Sequence, residues 1–258
     1  MSKDLVTIII TSFNKKKFIK KSIQSVLKQT YKKKEIIVYD DKSTDGSVDI
    51  IKKFKNINFF VNNEKKRISN PLNQLNAVIR CLKKSRGKYI FLLDGDDYFK
   101  KNKIEILIKY FNKYKNVNVI QDKPYLVYEK KILNLKEKKF FFSIWPSIYP
   151  TSCIAIRKSF FVEFIKFIEK EKFSNLEIDS RLVMYANLKK KLKILSSSYT
   201  FYNSDHSGIS SNYKKFKINW WKKRNEAFDY LEYLYKKLDI KFNKGPDYFL
   251  TKILNLLI

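Results

Sequence analysis

Histidine occurs once in this chain of 258 residues, cysteine twice, and glycine and proline five times each. Cys81 and Cys153 are too few and too far apart for a disulfide framework or a metal-ligand pair, so a reducing cytoplasm fits. Arginine is also scarce: of 55 basic residues only Arg67, Arg80, Arg86, Arg157, Arg181 and Arg224 carry a guanidinium, the better fork for phosphates and base edges. The formal charge of +30 would point to nucleic acid or an anionic membrane. The lysines, however, are interleaved through every helical stretch and no nucleic-acid motif accompanies them, so no nucleic-acid partner is expected. Abundant Lys, Asn, Ile, Phe and Tyr beside so little Gly and Pro reads as a coding bias spread over solvated faces. Long apolar runs are missing too: the first, after Asp4, has only about six residues, far short of a signal-peptide core or a membrane span. No segment is expected to cross a bilayer.

What is present is enough apolar sequence, 44%, for a real core in one large α/β domain or a domain with a small extension. Leu5 to Ile10 reads as a strand, and Phe18, Ile19, Ser22, Ile23, Val26 and Leu27 recur at helical spacing. Strands at Glu35 to Tyr39, Ile57 to Val61 and Tyr89 to Leu93 then alternate with helices at Val48 to Phe54 and Pro71 to Leu82. Such alternation implies right-handed crossovers and a parallel sheet, whose ligands gather at the carboxyl ends of the strands. A helix at Lys101 to Tyr114 and strands at Val117 to Gln121 and Pro124 to Val127 extend the unit. The second half is less regular, with strands at Ile154 to Ile156 and Leu192 to Leu195 and helices at Phe160 to Ile168 and Ile178 to Ala186. An apolar stripe through Trp220, Trp221, Ala227, Phe228, Leu231, Leu234, Tyr235 and Leu238 predicts a helical end. One domain is expected over 1–212, in two halves that meet at 121/122, with a helical extension over 213–258.

Two acidic clusters fall at strand carboxyl ends: Asp40-Asp41, and Asp94-Gly95-Asp96-Asp97. Carboxylates so crowded repel one another, which makes sense if a divalent cation neutralises them and bridges them to a diphosphate. An Asp- and Gly-rich turn capping the next helix is the other reading.

Four blocks, in order, resemble the nucleotide-binding half of the family 2 glycosyltransferases. These are Thr11-Ser12-Phe13-Asn14; Ser25-Val26-Leu27-Lys28-Gln29-Thr30-Tyr31; Glu35 to Ser47, with Lys42 in place of the usual Gly; and Gly87 to Asp97. The resemblance implies the A-type glycosyltransferase (GT-A) fold, a Rossmann-like α/β architecture with a mostly parallel central sheet flanked by helices. It implies that Thr11 and Phe13 line the base pocket, that Asp41 accepts the pyrimidine N3–H, and that Asn14, Asp40 and Gly95 complete the nucleotide site. Phe13, where Tyr is more frequent, keeps a stacking face; core packing is its other reading. Asp94 would sit by the ribose and diphosphate, and Asp96, with Asp94 and His206, would hold Mn²⁺ or Mg²⁺. In the second half Glu177-Ile178-Asp179-Ser180-Arg181 resembles the start of the helix carrying the catalytic base: Asp179 first, Glu177 second. An acidic first turn favoured by the helix dipole is the alternative. One departure is the stretch Gln74-Leu75-Asn76, where the family often shows Ala-Arg-Asn; Lys65, Lys66 or Arg67 would have to replace the missing cation.

The implied activity is inverting hexosyl transfer from a nucleotide diphosphate sugar, UDP foremost, to a glycan or lipid-linked acceptor in bacterial surface polysaccharide or lipopolysaccharide synthesis. A catalytically degenerate nucleotide binder is the runner-up. Trp220-Trp221-Lys222-Lys223-Arg224 and the apolar tail from Tyr248 to Ile258 raise peripheral binding to an anionic leaflet on the cytoplasmic side. Packing of both helices on the domain, or on a second copy in a homodimer, is the alternative.

Overall fold

Side-chain alternation turns the first half of the chain into a sheet buried on both faces. Along β1 (Val6–Ser12), Val6, Ile8 and Ile10 enter one core and Ile9 the other. β2 (Lys34–Asp40), β3 (Asn58–Val61) and β4 (Tyr89–Asp94) divide in the same way. Helices cover both faces, as a parallel sheet requires. The computed structural model describes residues 4–62, 69–129, 131–135, 144–169, 172–204 and 216–258.

Four helices follow the strands in order: α1 (Ile19–Leu27), α2 (Ser47–Lys52), α3 (Asn70–Lys84) and α4 (Lys103–Lys113). α3 packs on one face through Leu75 and Val78, while the others pack on the opposite face through Ile23, Ile51 and Leu107. β1 pairs in parallel with β2 and β4, and β2 in parallel with β3, as the alternating pattern implies.

The second half departs from a simple parallel continuation. It contributes β5 (Tyr98–Phe99), β6 (Val119–Tyr128), β7 (Lys131–Asn134), β8 (Ile154–Arg157) and β9 (Leu192–Asn203). The sheet order is β3-β2-β1-β4-β8-β6-β9-β5, with β7 on β6. β8 runs antiparallel to both β4 and β6, so a reversed strand lies between two parallel sets. The strands expected at 117–121 and 124–127 are one strand, β6. The break read from Pro124 is a register shift against β9, where proline's missing N–H is tolerated. β9 runs on to Asn203 instead of stopping at Leu195, and the short pairings β5 and β7 were not foreseen.

α5 (Lys158–Ile165), α6 (Ile178–Leu188) and α7 (Ile218–Lys237) join α3 in one core through Phe161, Leu182 and Leu231. α8 (Pro246–Leu256) lies on α7. The expected boundary at 212/213 falls outside the described residues, but α7 itself is part of the core.

One ionic node ties the two halves together. Lys103 and Asp122, neither with any exposed side-chain area, pair at 2.8 Å. The Lys103 ammonium also donates to the Ser152 carbonyl and to Thr200 Oγ1, both at 2.6 Å. Asp122 accepts the Tyr199 N–H at 2.9 Å and the Thr200 hydroxyl at 2.8 Å. A buried pair so fully bonded adds little net stability, yet removing one partner strands a charge at about 3–5 kcal/mol. Lys103→Met should therefore lower unfolding free energy by roughly that amount, read from the urea midpoint, and Lys103→Met with Asp122→Leu should recover much of the loss.

Candidate functional site

The site is built at the carboxyl end of β1. In the sheet Thr11 lies opposite Asp94 and Ser12 opposite Asp40, so the two acidic clusters flank one strand end. Asp94 Oδ1 accepts from the Thr11 hydroxyl at 3.0 Å and from the Gln74 amide at 2.6 Å. Gln74, in the stretch where the family often carries arginine, thus reaches the candidate site as a neutral donor. The Gly95 N–H donates to the Thr11 carbonyl at 2.8 Å; a Cβ at Gly95 would lie 3.2 Å from that oxygen and 3.3 Å from Ile19 Cδ1, so a larger residue would press on the turn. Asp96 is bonded to the Lys15 ammonium. Asp97 is buried and accepts from the Ser152 hydroxyl at 2.5 Å and the Asn203 N–H at 2.8 Å.

The loops beside this floor are laced together. Asp40 accepts the Ser43 N–H and hydroxyl, both at 2.7 Å, and Ser43 Oγ accepts the Asn14 N–H at 2.7 Å. The Asn14 side chain accepts the Thr44 N–H at 2.9 Å. Asp40 and Asn14 therefore shape the rim. Lys42 has φ 61°, the left-handed backbone that glycine adopts freely, which accounts for the residue usual at that position. Asp41 accepts from the Asn62 amide at 2.6 Å, and Phe13 is 37% exposed instead of packed in the core.

Across the crevice, Asp179 lies in the first turn of α6 and accepts the Thr151 hydroxyl at 3.2 Å and the Ser180 N–H at 2.5 Å. Glu177 stands at the N-cap position of the same helix, its side chain making no capping bond and instead pairing with Lys223 of α7 at 2.5 Å. A 3₁₀ turn, Thr151–Cys153, bridges the two sides. Thr151 reaches Asp179, while Ser152 accepts the Asp94 N–H at 2.9 Å and donates to Asp97. Thr151, Ser152, Gln74, Lys15 and Lys223 were not among the expected site residues; isolated hydroxyls and lysines carry no spacing signal.

Crowding and burial act together on the carboxyls. Burial first, then the Asp96 charge, pushes Asp94 up to about 7, against the Thr11 and Gln74 hydrogen bonds; Asp179 is felt there too. Asp97 is driven well up by burial and by Asp96 and Asp94. Asp179 rises to about 6 through burial and Glu177, opposed by Lys223 and Ser180. A cation is the natural relief for such a floor. Asp94 and Asp96 offer hard oxygen donors suited to Mg²⁺ or Mn²⁺, and among the described residues no three His, Cys, Asp or Glu side chains converge on one point. The fit is to an ion that completes its shell with phosphate oxygens and water. His206, Lys65, Lys66 and Arg67 lie outside the described residues.

The sheet order, with carboxylates gathered at the carboxyl ends of its parallel strands, is that of an α/β architecture of the GT-A type. The chain matches the model of Glycosyl transferase family 2 over residues 7–176, and it belongs to that family. It is 39% identical over 127 residues to the UDP-Glc:alpha-D-GlcNAc-diphosphoundecaprenol beta-1,3-glucosyltransferase WfaP of Escherichia coli, covering 46% of this chain and 48% of that one. The aligned stretch spans about half or less of the curated relatives it matches. Among solved structures, S. aureus TarS 1-349 in complex with UDP-GlcNAc superposes with TM-score 0.62 at 16% identity, over 95% of this chain and 79% of that one. The mannosyltransferase PcManGT from Pyrobaculum calidifontis, in complex with GDP-Man and Mn2+, gives 0.59 at 13% identity, over 96% and 68%. These structures share the fold.

Ser152→Ala would leave the Asp94 N–H and the Asp97 carboxyl each short of a partner. A loss of about 1–3 kcal/mol is expected in chemical unfolding, against less than about 0.5 for an exposed serine such as Ser197.

Proposed function

We propose that the chain is an inverting, metal-dependent hexosyltransferase that uses a nucleotide diphosphate sugar, most simply a UDP-sugar. The observation that carries this reading is the facing of Asp94, clamped by Thr11 and Gln74, with Asp179, the two linked through the adjacent hydroxyls of Thr151 and Ser152. In this reading residues 1–121 hold the donor, 122–212 present the acceptor, and 213–258 buttress the acceptor side. Thr11, Phe13, Asn14, Asp40, Asp41 and Gly95 form the nucleotide pocket, where an exposed ring suits stacking and a carboxylate suits an N–H donor. Asp94 and Asp96, with His206, would hold Mn²⁺ or Mg²⁺, which when bound offsets the charge of the departing diphosphate.

Asp179 takes the proton of the acceptor hydroxyl as that oxygen bonds to the anomeric carbon and the bond to the diphosphate oxygen breaks. Its raised pKa makes it a stronger base than an ordinary carboxylate while leaving it mostly ionised at neutral pH. Glu177, held by Lys223, is the second candidate. The names of WfaP and of the TarS complex support UDP as the donor's carrier. The WfaP name also supports a lipid-linked glycan acceptor, hence surface polysaccharide assembly on the cytoplasmic face of a bacterial membrane.

The test separates binding from chemistry. A thermal-shift panel of UDP, GDP, dTDP, CDP and ATP with and without Mn²⁺ should show metal-dependent stabilisation by UDP. Asp96→Ala should lose it; Asp179→Asn should keep it and lose transfer by about 10²-fold or more. Retained turnover in Asp179→Asn would shift the base to Glu177, and no shift with any nucleotide would remove the reading. Because the base works ionised, kcat/KM should be full above the raised pKa and fall about tenfold per pH unit below pH 6. Lys223→Met, which deletes the cation that lowers Asp179, should move that limb to higher pH.

A further inference from the structure

The C-terminal helix carries a face that nothing in the described chain covers. Tyr248 and Thr251 are buried against α7, and the opposite arc of α8 presents Phe249, Leu250, Ile253, Leu256 and Leu257 to solvent. Phe249 is 53% exposed, Ile253 56% and Leu256 86%. Their i, i+4, i+7, i+8 spacing makes one stripe along a helix about 16 Å long. Exposed large apolar side chains in one stripe mark an interaction surface.

Position and charge indicate what covers it. α8 runs antiparallel to α7: Tyr248 bonds Glu232, Lys252 pairs with Asp229, and the Asn255 amide donates to the Trp221 carbonyl at 3.1 Å. The carboxyl end of the stripe therefore lies beside the start of α7, where Phe216 and Ile218 are exposed as well. Two residues beyond Trp221, Lys223 grips Glu177 at the acceptor side of the crevice. Residues 216–258 hold nine basic and five acidic side chains. Four of those acids, Asp229, Glu232, Asp247 and Glu226, are already bonded to Lys252, Lys244, Arg224 and Asn175. Lys217 and Lys222 at the same end are exposed. A second copy would bring like charge against like, whereas an anionic bilayer accepts both the stripe and its cations. The earlier expectation centred on Lys222-Lys223-Arg224 shifts accordingly: Arg224 lies over Trp145, Trp220 and Phe228 and pairs with Asp247, so it faces inward.

We infer that α8 docks in the plane of an anionic lipid surface through the Phe249–Leu257 stripe, bringing the acceptor side of the crevice to the membrane. No helix among the described residues is long and apolar enough to cross a bilayer, so the contact is interfacial. Its purpose, meeting a lipid-borne acceptor, rests on the transferase reading; the binding does not.

Sedimentation with vesicles of phosphatidylcholine alone, or with one-third phosphatidylglycerol, tests it without donor or acceptor. The full chain should partition at least tenfold more strongly onto the anionic vesicles, and high salt should weaken this. Phe249→Ser/Ile253→Ser/Leu256→Ser should lower partition at least tenfold while keeping the melting temperature and any nucleotide-induced shift. Lys217→Glu/Lys222→Glu should remove the preference for anionic lipid. Vesicle binding unchanged in the triple variant, or none by the parent chain, overturns the inference. So does a concentration-dependent dimer in sedimentation equilibrium that the triple variant abolishes, which would assign the stripe to a second copy. A nucleotide shift without vesicle binding would leave the transferase reading standing alone.

Discussion

The buried pair between Lys103 and Asp122 is the constraint on which the crevice depends. It joins the start of α4, a register shift in β6, the middle of β9 and, through the Ser152 carbonyl, the turn that carries Thr151 and Ser152. A charge pair without water requires every donor and acceptor around it to be in place. That requirement explains why a short turn between irregular segments holds two hydroxyls at fixed positions. The reversed strand β8 begins directly after this turn, so the same anchor fixes where the second half of the sheet joins the first.

The floor of the crevice is held in an electrostatically unfavourable state by neutral groups. Thr11 and Gln74 orient Asp94 without contributing charge, whereas a guanidinium in the place of Gln74 would favour the ionised carboxyl and hold its pKa down. Lys15 supplies positive charge to Asp96, and Asp97 is sequestered by Ser152 and a backbone N–H. Burial and the neighbouring Asp96 charge therefore weigh on Asp94, whose ionised form is disfavoured.

Much of this was legible in the chain. The β-branched runs and their spacing were sufficient to place β1 to β4 and the helices between them, because side-chain period and burial dictate those elements directly. Asp41, Asp94, Asp96 and Asp179 were singled out by the crowding of carboxylates at strand and helix ends together with the family resemblance. The second half resisted because its strands are set by partners distant in sequence. Pro124 read as the start of a separate strand but sits at an irregularity inside β6, and Tyr98-Phe99 is too short for any period to show. Gln74 drew notice only as the neighbour of Leu75, which stands where the family often has arginine, although its own amide reaches Asp94.

α7 has one more consequence. Its Glu226 holds the backbone and side chain of Asn175, its Lys223 holds Glu177, and its Tyr230 donates to the carbonyl of Arg181, whose guanidinium in turn caps Lys172, Phe173 and Leu176. The segment leading into α6 is therefore cast in a mould supplied by residues some fifty positions further on. During synthesis, the side of the site built from α6 would remain unset after its own residues have emerged, and the side built from β1 and β4 would reach its final form first.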